Sequence, residues 1–447
     1  MSDILDQTDL TERAARLVEA ARKAGADAAD TVCVRGVSLA VEVRLGKIEE
    51  TRRAEGDDFT LRVFVGKRSA TVSANVVTDP AELATRAVAM ARVAPEDRFA
   101  GLADPARLAR KFPDLDLIDD TIASAAELTE VALATEDAAR AVKGVSNSGG
   151  GSAGWSLGGL VLATSDGFAG SYLGSHFSLS ASAIAGEGTG MERDYDYDAK
   201  SHRSDLRTPE AIGRSAGERA VRRLNPQKLS TFRGTVVYDP RVATSLVGHL
   251  AGAINGSGIA RKTSFLRDKL GQRIFADTIR IDDDPTRRRG PASRPFDGEG
   301  LAQEPLDLIR DGILQTWVLD SATGRELGLA SNGRAARGGG NPSPGTTNLT
   351  LRPGKRTPEE LIGAIKNGVY VTELIGHGVN GLTGDYSRGA AGFAIRNGKL
   401  AEPVSEITIA GNLTDMFLRL EPASDLVFRF ATNAPTVAVE GLTIAGR

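Results

Sequence analysis

The stretch Asp239–Phe275, DPRVATSLVGHLAGAINGSGIARKTSFLRDKLGQRIF, decides how this chain is read. Asp239 and Pro240 form a helix start: a carboxylate caps free backbone N–H groups, and proline supplies a preset φ at the first helical position. Val242, Leu246, His249, Leu250 and Ala253 then recur three and four apart, an apolar stripe with a histidine inside it. Asn255 and Gly256 are expected to end the helix, because both tolerate the left-handed conformation. A Ser/Thr/Lys/Arg-rich segment and a second short helix are expected to follow.

Outward from that stretch, 447 residues are too many for one ordinary core, and two domains are expected. Hydrophobic residues at 41% and charged residues at 25% match globular proteins in water rather than disordered or membrane chains. Lysine and arginine number 55 against 58 acids, a net charge of −3, so global basicity recommends no nucleic-acid partner. A single cysteine, Cys33, excludes an internal disulfide and fits a reducing compartment. The start, MSDILDQTDLTER, is acidic and lacks the apolar core of a signal peptide. No stretch approaches the roughly 18 uninterrupted apolar residues of a membrane span. The expected location is therefore cytoplasmic, away from membranes.

Residues 9–24 read as an amphipathic helix with Asp9 or Thr11 as its cap, and short β-type runs extend from Ala28 to Ala74. Asp79-Pro80 starts a second helix, and residues 95–120 read as loop. A long Ala/Glu helix from Ala123 to Val142 precedes a second set of strands to about Ala185. A helix followed by antiparallel strands thus occurs twice, which reads as an internal duplication. Thr208-Pro209 opens another helix, and residues 225–232, NPQKLSTF, read as a linker. The expected domains are 1–225 and 233–447, the second glycine-rich and mainly β, with one more helix from Thr357 to about Lys366 that ends at Asn367-Gly368. Helices and strands alternate too irregularly for a doubly wound parallel sheet, so the fold class is α+β with antiparallel or mixed sheets in both halves.

Several motifs match a chemistry and fail its context. Gly154-Trp155-Ser156-Leu157-Gly158 fits the nucleophile-elbow pattern but lies within a run of strands, whereas the elbow needs a strand-to-helix turn. Gly376-His377-Gly378-Val379-Asn380-Gly381 fits a dinucleotide fingerprint, yet no helix former follows to hold a pyrophosphate. Asp194-Tyr195-Asp196-Tyr197-Asp198 begins like a calcium loop but has Ala199 where the loop needs glycine. Its alternation reads as a strand with tyrosines on one face and aspartates on the other, a solvated edge or a partner-facing strip. The four histidines, His176, His202, His249 and His377, stand far apart and form no helical ligand pair, and catalytic zinc needs three protein ligands.

The helix at 239–254 resembles the metallopeptidase helix of the TldD/PmbA family, long labelled modulators of DNA gyrase. In the TldD branch that helix carries H-E-x-x-x-H, ending in a Gly-His like Gly248-His249. Here Thr244 and Ser245 stand in place of the first histidine and the glutamate. The segments LGLASNGRAARGGGNPSPGTTNL, GVNGLTGDYSRGAAGFAIRNGKLAEPVSEITIAGNL and VEGLTIAG are similar to the TldE (PmbA) branch. The resemblance covers most of the chain and is densest after residue 230.

It implies a non-catalytic subunit that pairs with a TldD-like metallopeptidase acting on small unfolded peptides, in microcin maturation or antitoxin turnover. It also implies that zinc sits in that partner: two motif histidines and a C-terminal cysteine bind it there, and ATNAPTVAVEGLTIAGR contains no cysteine. No cofactor is then expected here, and His249 becomes a hydrogen-bonded core histidine. The loops Asp385-Tyr386-Ser387-Arg388 and Arg334–Asn341, with Asn380, are candidates for an interface or peptide channel, against plain loop anchoring. Expressed alone, the chain is expected to be able to form an isologous homodimer. Two other readings stand beside this one. The chain is either an independent hydrolase, through Ser156 or dispersed carboxylates, or a non-proteolytic regulator of a gyrase or toxin–antitoxin system.

Overall fold

The computed structural model describes residues 6–75 and 79–446. The first five residues of the acidic N-terminal segment lie outside them. Helix α1 (Thr8–Lys23) is followed by strands β1 (Ala28–Arg44), β2 (Lys47–Val65) and β3 (Arg68–Asn75) and helix α2 (Pro80–Val93). The same order returns as α3 (Ala125–Arg140), β4 (Val145–Thr164), β5 (Ala169–Ala185), β6 (Glu192–Lys200) and α4 (Pro209–Arg222). The six strands form one antiparallel sheet in the order β3-β2-β1-β4-β5-β6, with Gly36 opposite Gly158 where the two sets meet.

Side-chain alternation gives this sheet two unlike faces. On one, Val37, Leu39, Val41, Ala153, Trp155, Leu157 and Leu179 are buried with Leu128 of α3 and Ile212 of α4. Helices α3 and α4 meet closely because Gly213 and Gly217 face the α3 backbone. A Cβ at Gly213 would lie 2.1 Å from the Thr135 carbonyl oxygen, and one at Gly217 would lie 2.7 Å from that of Ala139. On the other face, Phe296 from the C-terminal half packs on Phe168 and Tyr172 with ring centroids 5.1 and 5.3 Å away. Beyond that contact the same face carries Ser152, Ser156, Ser178, Ser180 and Ser182, none of them buried.

The C-terminal half runs through β7 (Phe232–Tyr238), α5 (Pro240–Ala253), the short α6 (Gly256–Ala260) and β8 (Ile281–Asp283). Next come β9 (Leu306–Arg310), β10 (Ile313–Leu314), α7 (Ser321–Glu326), β11 (Ala335–Ala336), β12 (Ser343–Pro344) and β13 (Leu349–Leu351). Last come α8 (Pro358–Gly363), β14 (Asn367–Ile375), β15 (Asp385–Arg396), β16 (Lys399–Asn412), α9 (Leu413–Leu418), β17 (Leu420–Pro422), β18 (Thr432–Asn433) and β19 (Val437–Ala445). Strands β16, β15, β14, β7 and β19 pair in series, and β16 also pairs with β19, closing the sheet into a barrel. Strand β14 runs parallel to β7 and antiparallel to β15, so the sheet is mixed. The fold is α+β throughout.

Local details depart from the sequence reading where tertiary partners intervene. The cap of α1 is Gln7 rather than Asp9 or Thr11, and it makes no side-chain capping bond. Asn255 and Gly256 do not turn left-handed. Instead the Asn255 side chain accepts the Ser257 N–H at 3.0 Å and starts α6. Helix α8 stops at Gly363, and Asn367-Gly368 opens β14 instead of ending the helix.

Candidate functional site

Helix α5 starts as its sequence dictates: an Asp239 carboxylate oxygen accepts the Arg241 N–H at 2.9 Å and Pro240 fills the first turn. Ala243, Leu246, Val247, Leu250 and Ala253 are buried against the barrel and the five-stranded sheet β10-β9-β8-β13-β18. Thr244 and Ser245 lie at the edge of that stripe. Both hydroxyls turn back on the helix, Thr244 donating to the Arg241 carbonyl at 3.2 Å and Ser245 to that of Val242 at 2.6 Å.

His249 is half-buried and meets the ring of Tyr386 edge-on, with centroids 6.0 Å apart. Its Nε2 is buried and has no hydrogen-bond partner, which corrects the expectation of a hydrogen-bonded core histidine. Burial, and then the Arg388 charge, hold its imidazole below the ordinary histidine range. The Tyr238 and Tyr386 hydroxyls, both fully buried, approach each other without reaching hydrogen-bond geometry. Burial raises both above the usual tyrosine range, Tyr238 well above it. The structure therefore gathers His249, Tyr386 and Arg388, with Tyr238 an addition that no motif announced.

The other candidate residues lie elsewhere. Arg334 is 1% exposed and pairs with the buried Asp283 at 2.5 Å, while donating to the carbonyls of Asn332, Asp283 and Glu304. This corrects its placement in an interface or channel, since a side chain with its donors spent on its own fold has none left for a partner. Asn341 is exposed and accepts the Thr71 hydroxyl at 2.6 Å, and the neighbouring Gly339 carbonyl accepts that of Thr60. The 334–341 loop is thus laid across β2 and β3 of the same chain. Asn380 and Asp385 are exposed but anchor their own turn: Asn380 Oδ1 accepts the Leu382 N–H and Asp385 accepts the Thr383 hydroxyl. That turn joins antiparallel β14 and β15, so the glycine pattern at 376–381 precedes no helix. Ser156 sits in mid-strand opposite Ser38 and His176, not on an elbow.

The aspartate–tyrosine strip is the expected strand, β6 at the edge of its sheet, with aspartates on one face and tyrosines on the other. Asp194, Asp196 and Asp198 are all buried, whereas Tyr195 is 45% exposed. Arginines make this bearable, one from nearby in sequence and one from the other half of the chain, because a buried carboxylate needs a paired cation and hydrogen bonds. Arg241 reaches Asp194 at 2.9 Å and Arg207 reaches Asp196 at 2.9 Å, and the Arg207 N–H donates to Asp198.

A cavity of about 290 Å³ opens at the head of α5, lined by Arg219, Arg241, Thr244, Asp425, Arg429 and Phe430. Phe430 stacks on Tyr197 with centroids 4.9 Å apart. On the other side of Tyr195 and Tyr197 a groove of about 560 Å³ runs over the serine-bearing sheet face, between Gly149–Ser152 and Ser178–Ser182. Motif reasoning missed this cavity, because its arginines come from three separate segments.

Three family models match the chain in order: PmbA/TldA metallopeptidase domain 1 over residues 29–91, the central domain over 119–224 and the C-terminal domain over 231–446. The chain belongs to the TldD/PmbA family. Metalloprotease PmbA of Escherichia coli O157:H7 is 37% identical over all of the chain and 98% of its own length. The Metalloprotease PmbA homolog of Haemophilus influenzae is also 37% identical, over 98% of the chain and 97% of its own length. A Bacteroides thetaiotaomicron protein, described as a candidate modulator of DNA gyrase, superposes with a TM-score of 0.91 over 99% of this chain and 100% of that one, at 27% identity. TldE from Thermococcus kodakarensis shares the fold, with a TM-score of 0.85 over 96% of this chain and 99% of its own, at 23% identity.

Within this PmbA-type chain the family's metallopeptidase character meets an unsuitable donor set. Helix α5 offers one histidine, a threonine and a serine, and both hydroxyls are spent on helix carbonyls. Among the described residues no three His, Cys, Asp or Glu side chains gather in metal-binding geometry. Cys33 is buried in the N-terminal half, and burial pushes its thiol up to about 12, far from the thiolate that a metal requires. The residues do not fit catalytic zinc. No helix among the described residues is long and apolar enough to cross a membrane.

Proposed function

We propose that this chain is the non-catalytic, peptide-handling subunit of a metallopeptidase whose zinc and base reside in a TldD-like partner. The observation that carries this reading is the state of α5. Its framework, capped start and buried stripe are intact, while the positions of the first histidine and the glutamate hold hydroxyls turned back on the helix. A threonine is a poor zinc ligand and a serine is no carboxylate base, so three parts of the chemistry are missing together once the C-terminal cysteine is counted.

The serine-bearing groove supports a peptide as the cargo. Small side chains leave backbone close to the surface, and Ser152 and Ser180 hydroxyls, 2.8 Å apart, offer hydrogen bonds without shape selection. An extended segment fits such a face with little demand on its sequence.

The test is cleavage of an unstructured peptide by the purified chain, with zinc, with chelator, and with a TldD-like partner. Silence alone and chelator-sensitive cleavage in the mixture is the expected result. Chelator-sensitive cleavage by this chain alone overturns the reading.

A further inference from the structure

Donors and acceptors in the cavity at the head of α5 are unequally used. Its two carboxylates are committed: Asp239 accepts the Arg241 N–H and, at 2.9 Å, the Tyr370 hydroxyl, and Asp425 accepts the N–H and hydroxyl of Thr436 at 2.9 and 2.7 Å. Arg241 is tied to Asp194 and to the Tyr195 carbonyl. Arg219 Nη1 is buried without a hydrogen-bond partner, as is Arg241 Nε, and the Arg219 charge also bears on buried Asp196. The Arg429 guanidinium forms no ion pair among the described residues. Buried polar groups normally have partners, and a guanidinium presents a planar fork that matches a carboxylate.

The geometry points to a carboxylate site here, one that takes the C-terminal carboxylate of a peptide between Arg219 and Arg429. This rests on the peptide-handling reading above and adds the end of the peptide that is recognised. The cavity is walled by Phe430 and Val427, which suit the last side chain, and Phe430 continues through Tyr197 into the serine-bearing groove. An extended peptide in that groove therefore has its terminus directed at the arginines. An internal peptide bond offers them only a neutral carbonyl acceptor, which gains less than a carboxylate does.

The experiment measures binding to the full chain of N-terminally labelled, unstructured peptides, by fluorescence anisotropy. One peptide has a free C-terminus, a second the same sequence ended by an amide, and a third an internal aspartate with an amidated end. Charge-assisted hydrogen bonds set the scale, and the free acid is expected to bind about tenfold or more tightly than its amide. Arg429→Gln, and separately Arg219→Gln, should erase that preference while circular dichroism and thermal unfolding report folded protein. Equal binding of acid and amide overturns the inference, and so does absence of binding by both. Tight binding of the internal aspartate alone overturns it too, assigning the arginines to an acidic side chain. Cleavage in the partner mixture distinguishes the two failures. If cleavage persists but ignores the peptide's end and Arg429, only the terminal site is lost; if no mixture cleaves, the subunit reading is lost.

Discussion

Arg334 and Arg429 occupy two regions of the same half of the chain and show opposite uses of one side chain. The donors of Arg334 itself are all answered: Asp283 takes its Nε–H, along with the Thr347 N–H and hydroxyl, and nearby carbonyls take the rest. Around Arg429 the nearby carboxylates already accept hydrogen bonds from other groups, and its guanidinium forms no ion pair among the described residues. The difference separates arginines that build the fold from those available to a ligand, and residue type alone does not make it. Arg334 lies in the more glycine-rich, more loop-like sequence and is nevertheless the buried one.

The largest effect expected from this contrast belongs to Arg334→Met. It strands the Asp283 carboxylate, which is fully buried, and removing one partner of such a pair costs roughly 3–5 kcal/mol. Urea unfolding should show the loss as a lower midpoint. A change below about 1 kcal/mol would mean that Asp283 is held by Thr347 alone, and the contrast would collapse.

A smaller effect belongs to Glu299, in the same buried region, where a charge is not fully answered. Burial first, and then neighbouring Asp297, push its carboxyl up to about 7. The Ser321 N–H donates to it at 2.8 Å, and Arg62 of β2 favours its charge while Asp320 opposes it. Between the unfolded value near 4.5 and about 7 the native state binds the extra proton, so stability falls as pH rises through that window. Above it the deficit attributable to the Asp297–Glu299 pair is on the order of 3 kcal/mol. Glu299→Gln should flatten the pH dependence of the unfolding midpoint between pH 5 and 8, as measured at roughly unit pH steps. An unchanged slope would assign the proton elsewhere.

Helix starts were readable because they are local: Asp79-Pro80, Thr208-Pro209, Asp239-Pro240 and Thr357-Pro358 each cap the helix that follows. The repeated order of helix and strands was readable from periodicity alone. What escaped was set by distant partners. Asp194 is buried because of an arginine 47 positions away, and Arg334 because of an aspartate 51 positions back. Asn255 does mark the end of α5, which stops at Ala253, but not by turning left-handed as its place beside Gly256 suggested. Its side-chain amide instead donates to the Pro344 carbonyl 89 positions on, while its oxygen caps the next helix. The altered motif at Thr244 and Ser245 was visible in the sequence, but the cavity beside it required the fold.

The smallest expected effect is the sharpest test of the contrast. Arg429→Gln removes a half-buried guanidinium whose donors serve no acceptor among the described residues, while its backbone N–H still donates to Asn433 at 2.8 Å. Its charge lowers the Tyr197 hydroxyl, which burial raises. Substitutions away from structural partners shift stability by about 0.5 kcal/mol or less, and that is the change expected in urea unfolding. A loss nearer to that of Arg334→Met would show Arg429 to be a second fold-building arginine, with no donor to offer a ligand. A near-zero change alongside lost discrimination between peptide acid and amide would leave its charge no role in the chain except at the cavity.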